Sequence, residues 1–131
     1  MRFYLFLMDN IKNIKIFYKG KRFSLNVKDV SFFGKFRGLM FRKFFRDGLL
    51  FNFSRECRKP IHSLFVFYPF LALWLNNKNE VLEHRIIQPF KFSIIPKKKF
   101  YRLIEIPLLV GGKEKNKLID FLVGKERFKY D

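Results

Sequence analysis

The stretch Leu64 to Leu75, LFVFYPFLALWL, constrains the fold most. It is apolar and aromatic throughout, with Pro69 at its middle. A helix this short cannot cross a bilayer, which takes about twenty residues, and a central proline would break it. As strand, the run must be covered on both faces, because successive side chains point to opposite sides. Pro69 then divides it into two strands or marks a bulge. The chain of 131 residues is long enough to supply that cover as one domain, 1–131, and too short for two ordinary ones.

The rest of the chain agrees with a sheet. Arg2–Met8 reads as a strand, and its apolar residues are too few for a signal-peptide core with flanks. Ile14–Tyr18 and Arg22–Val27 read as a hairpin joined by Lys19-Gly20-Lys21, and FSLNV alternates apolar and polar. Phe32, Phe36, Leu39 and Met40 change the period to that of one helix face, with Asp29 or Ser31 as N-cap. Gly48 opens the strand LLFNF. Asn76-Asn77-Lys78-Asn79 is the clearest turn, returning through Glu80–Ile87. Phe100–Ile106 is a further strand, Lys113–Leu118 a short helix, and Arg127–Tyr130 a closing strand. The predicted class is β-rich α+β: a small twisted antiparallel sheet or barrel-like domain with one or two short helices.

Charge bears on partners. Lys and Arg number 28 against 11 acids, a formal +17. The excess is spread, with 12 basic and 3 acidic residues in 1–50 and 16 and 8 in 51–131, so it is no basic tail. Such a field attracts nucleic acid or another polyanion. A skew toward Phe, Lys, Ile and Asn is also what AT-rich coding produces, so the charge has a compositional source as well. The single cysteine, Cys57, excludes an internal disulfide and a multi-cysteine metal site, and fits a reducing cytoplasm.

The segment RGLMFRKFFRDGLLFNF, Arg37 to Phe53, interleaves phenylalanines with cations. It matches an RNA-recognition strand motif at Arg37, Gly38, Phe41 and Phe44 but fails at Leu39, Met40 and Arg42, and its helical spacing argues against a strand. Another resemblance is better. Gly38-Leu39-Met40-Phe41-Arg42-Lys43, then Leu49-Leu50-Phe51, is similar to the N-terminal signature of the domain of unknown function 192 family, the uncharacterised ancient conserved region. Ile61-His62-Ser63-Leu64-Phe65, Tyr68-Pro69, the Asn76–Asn79 turn, Gln88-Pro89-Phe90 and Tyr101–Pro107 resemble later elements of its archaeal-type members, in order. The resemblance covers about residues 22–130. It departs from the pattern where carboxylates are usual: Phe70 and Leu71 follow the proline, Asn76 opens the turn, and Lys125 follows Val123-Gly124. The resemblance implies a compact β-rich domain with a helix near the GLM element. It implies no activity, and any role of those carboxylates in relatives is lost here.

Candidate chemistry is sparse. His62 precedes an apolar strand, matches a family position and can shuttle protons near neutral pH, or serve as a backbone-bonded structural histidine. His84 is placed on the solvent face of its strand. Glu105 shares a face with Leu103 and Tyr101, or faces solvent at a strand end, and is expected to pair with Arg42 or Arg102. His62, Arg42 and Glu105 are thus the candidate ligand or structural site. Lys97, Lys98, Lys99, Tyr101 and Arg102 form the densest basic patch with aromatics, the candidate contact for phosphates and a stacked base. A second basic segment comprises Lys12, Lys15, Lys19, Lys21 and Arg22. No paired acids, phosphate-binding loop or metal set is evident, and no cofactor is implied.

The sequence therefore predicts a small binding or interaction domain without a catalytic constellation, cytoplasmic and without a transmembrane segment. The competing reading is an RNA-associated basic protein. An enzyme acting through His62 ranks behind both.

Overall fold

The structure, a computed structural model, describes residues 11–29, 48–60, 69–88, 93–108 and 113–123, with the side chains at 54, 113–115 and 123 excepted. The strands expected at 2–8 and 127–130, the helix around Phe32–Met40, the GLM element with Arg42, and His62 with its flanking apolar residues lie outside the described residues.

Six strands form one sheet: β1 (Ile11–Tyr18), β2 (Lys21–Asp29), β3 (Gly48–Cys57), β4 (Phe70–Leu75), β5 (Val81–Ile87) and β6 (Phe100–Pro107). Their order is β1-β2-β3-β6-β4-β5, and the helix α1 (Lys113–Val123) follows the last strand. The sheet is β-rich α+β as predicted, with one departure. The pair β2–β3 runs parallel, with Val27 opposite Gly48 and Asp29 opposite Leu50. A parallel pair needs a crossover of a dozen or more residues, and residues 30–47 are long enough for it.

Turn chemistry sets the two hairpins. Tyr18 pairs with Lys21 across a two-residue turn in which Lys19 and Gly20 have φ of 49° and 77°. Two positive φ values are the signature of the tight hairpin turn that matches strand twist. The β4–β5 turn is held by Asn76, whose Oδ1 accepts from the amides of Lys78 and Glu80, each at 2.9 Å. Asn79 takes the left-handed conformation there, φ 64°. A register shift between Trp74 and Leu75 accommodates one extra residue of β5.

The two faces carry separate cores. On one, Ile14, Ile16, Phe23, Leu25, Val27, Leu71, Leu73, Ile104 and Ile106 pack under Leu118 and Ile119 of α1. On the other, Leu49, Phe51, Phe70, Ala72, Trp74 and Leu103 pack with Ile94 and Phe100. Every residue of β4 is fully buried, as expected for an apolar strand covered on both faces. Each large side chain so buried contributes about 1.5–3 kcal/mol. On the α1 side, Tyr18 of β1 meets His84 of β5 and Phe121 of α1, which brings the two ends of the sheet together. The Phe17 amide donates to the Asn79 carbonyl at 3.0 Å, and Phe17 bridges Glu80.

Candidate functional site

The segment between β5 and β6 carries the predicted basic patch, and three side chains fix its backbone. Arg58 Nε donates to the Pro96 carbonyl at 3.1 Å, and Arg85 to the Ile95 carbonyl at 3.0 Å. Glu83 accepts the Lys97 amide at 2.7 Å and the Arg85 Nε at 2.6 Å. Arg85 lies over the Trp74 ring at 5.4 Å, so the same guanidinium covers the core and holds the loop. Lys97, Lys98 and Lys99 are all exposed on this anchored loop.

The other predicted contacts diverge from them. Tyr101 is half-buried, and Arg102 has other work. Its Nε donates to Asn52 Oδ1 at 2.7 Å, and one terminal nitrogen donates to Asn79 Oδ1 at 2.9 Å and the Asn77 carbonyl at 3.0 Å. Asn52 in turn donates to Asp29, which also takes Lys12 at 3.4 Å. This polar chain ties four strands to the β4–β5 turn.

Glu105 lies where alternation puts it, on the face of Leu103, and is 2% exposed. It does not pair with Arg102, because residues three apart on a strand point to opposite faces. Lys28, 5% exposed, shares the face of Glu105: both are in register with Leu49, one on each side of it. Buried charges on either side of an apolar residue were not legible, since β2 and β6 meet β3 only through tertiary pairing. Arg42 and His62, the other two members of that candidate site, lie outside the described residues.

What the structure adds is an open groove of about 520 Å³ between the β4–β5 turn and the basic loop. Lys98 and Lys99 line one side and Asn76, Asn77, Lys78 and Glu80 the other, with Glu56 and Leu82 between. Sequence reasoning found the lysine run and the asparagine turn but had no signal that they face each other. Among the described residues no three His, Cys, Asp or Glu side chains come together as a metal site. No described helix is long and apolar enough to cross a membrane.

His84, expected on a solvent face, is half-buried where the outer strands meet. Its Nε2 lies 3.4 Å from the Tyr18 hydroxyl, and the rings meet edge to face at 5.5 Å. Burial holds its pKa below 6.5, and the Lys19 charge adds to this against a smaller opposing effect of Glu83.

No family model matches the sequence. The chain is 33% identical over 92 residues to a UPF0127 protein of Pyrococcus furiosus, across 68% of this chain and 78% of that one. Two crystal structures share its fold. A protein of unknown function from Novosphingobium aromaticivorans superposes with a TM-score of 0.62 at 14% identity, over 74% of this chain and 73% of that chain. A Sinorhizobium meliloti protein described as a candidate transcription regulator does so at 0.60 and 18%, over 74% and 79%.

Proposed function

The chain belongs to the uncharacterised UPF0127 family, and on that premise we propose that it is a single-domain, cytoplasmic binding protein that works by holding a ligand rather than by chemistry on one. The sequence elements it shares in order with the domain of unknown function 192 family support placing the two families together. The observation that carries the reading is the groove where Lys78, Lys98 and Lys99 outnumber the carboxylates of Glu56 and Glu80, one of which is bonded to Asn76, beside the side-chain amide of Asn77. Cations and amides on a prearranged rim suit a small acidic ligand or acidic peptide, because charge-assisted bonds to carboxylate or phosphate are the stronger kind. The loop is held by Arg58, Glu83 and Arg85 before any ligand arrives, which lowers the ordering cost of binding. Titrating inorganic phosphate and a polyglutamate peptide into labelled protein tests this by NMR. Saturable shifts centred on Asn76–Lys78 and Lys98–Lys99 support it. Small shifts scattered over all surface lysines refute it.

A second reading has its own support. The +17 charge and the fold shared with a candidate transcription regulator favour nucleic acid, with Lys97, Lys98 and Lys99 as phosphate contacts. Its test is anisotropy of labelled single-stranded and duplex RNA and DNA across roughly 50 to 300 mM salt, where released counterions set the slope. A preference for one form that survives the high end supports it, and indiscriminate binding that vanishes reduces the charge to polycation behaviour.

A further inference from the structure

The second basic segment of the sequence folds as the β1–β2 hairpin, which neither the groove nor the Lys97–Lys99 loop includes. From Ile11 to Asp29 there are six cations and one acid; Asp29 is bonded to Lys12, and Lys28 is buried. The hairpin sorts them by face. Ile14, Ile16, Phe23 and Leu25 point into the enclosed core. The opposite face carries the rungs Asn13–Asn26, Lys15–Ser24 and Phe17–Arg22. Side-chain bonds fix two of them: Asn13 donates to Asn26 at 3.1 Å, and Lys15 Nζ donates to both Asn13 Oδ1 and Ser24 Oγ at 2.8 Å. Lys15 is therefore held upright on the face and keeps donor capacity, since an ammonium has three protons.

Phe17 completes this face. It is 39% exposed, although its neighbour Ile16 is fully buried in the core and Tyr18 is half-buried. Its backbone is pinned to Asn79, so the ring is presented from a fixed strand. Outward positions on a strand lie about 6.6 Å apart. An aromatic ring thus stands one such step from Lys15 and directly across from Arg22. A strand face with cations flanking an exposed ring is the combination that binds single strands: phosphates meet the cations while a base stacks on the ring. Duplex hides its base faces and leaves Phe17 without a role.

We propose that the outward face of the β1–β2 hairpin binds single-stranded nucleic acid, with Lys15 and Arg22 on phosphates and Phe17 stacked on a base. This deepens the nucleic-acid reading and is independent of the groove. The test is anisotropy with labelled oligo-U and oligo-dT and a duplex of equal length, at roughly 50 to 300 mM salt. Phe17→Ala weakens single-strand binding about 5- to 150-fold with the salt slope intact. Phe17→Tyr, which keeps the ring, restores it. Lys15→Ala with Arg22→Ala lowers the log–log salt slope by about 1.4, the share of two phosphates. Circular dichroism confirms that each variant is folded. Unchanged binding in both hairpin variants, or duplex binding as tight as single-strand, overturns the proposal. If Lys97/Lys98/Lys99→Ala abolishes binding while the hairpin variants do not, the hairpin fails and the nucleic-acid reading stands. If the parent protein binds no strand, both fall.

Discussion

Gly48, the first residue of β3, has no room for a side chain. A Cβ built there would stand 3.1 Å from Ile104 Cγ2 and 3.2 Å from Val27 Cγ1, with Ile106 Cγ1 at 3.4 Å. All three neighbours are core side chains at or near full burial, so none has space to retreat. The absence of a side chain is what lets β2 and β6 both close on the first residue of β3. Gly48→Val should destabilise by about 1–3 kcal/mol, the usual cost of overpacking, read as a lower urea midpoint. Lys19 is the opposite case, a residue under strain rather than in a tight space. Its left-handed backbone brings Cβ close to the following carbonyl oxygen, and asparagine, whose short polar side chain bonds locally, tolerates that conformation better. Lys19→Asn should raise stability by about 0.5–1 kcal/mol in the same measurement.

At the scale of the elements, Arg102 is the fastening between β6 and the β4–β5 turn. Three acceptors on Asn52, Asn77 and Asn79 converge on its guanidinium, and none of them is on a neighbouring residue of the chain. Arg102→Met keeps the stem and removes the donors. It should cost about 1–2 kcal/mol, low in the range for charged hydrogen bonds because the site is partly exposed. Amide exchange should quicken at Asn76–Glu80 and not in β2. The strands themselves were legible, because turn residues and alternation are local signals: Lys19-Gly20 and Asn76–Asn79 each name a hairpin without reference to the rest. The parallel β2–β3 pair was not, since nothing in LNVKD or GLLF reports direction. Nor was the burial of Ile94, a single apolar contact in a loop with no period to reveal it. For the site, the lysine run was visible as charge. Its facing rim was not, because Glu56, Lys78 and Lys98 come from three parts of the chain joined only by sheet pairing.

The molecule as a whole depends on how its sheet closes. Strands β1 and β5 are the two ends of the order, and among the described residues Phe17 of β1 meets the end of the β4–β5 turn through a backbone bond to Asn79 and an isolated bridge to Glu80. Side chains add to this seam: Tyr18 packs against His84 and against Phe121 of α1 at 5.9 Å, and Lys19 lies over the Tyr18 ring at 5.2 Å. A proton on His84 would place a second positive charge beside Lys19 in a partly desolvated junction, opposed only in part by Glu83. The pKa of His84 is lowered in the folded state, so the unfolded chain binds that proton more readily. The associated stability is complete above the unfolded value of 6.5 and is lost as pH falls from there toward the folded value. Urea midpoints should therefore drop between pH 7.5 and pH 5.5, ahead of the range where most carboxylates titrate. In His84→Gln, which keeps a polar group for Tyr18 but cannot take the proton, the drop over that interval should largely disappear. An equal drop in both proteins would assign the acid sensitivity to other groups and leave the seam indifferent to pH. If the midpoint of the parent instead rises on acidification, the histidine is better accommodated charged than neutral, and the ordering of burial and Lys19 over Glu83 at this junction is reversed.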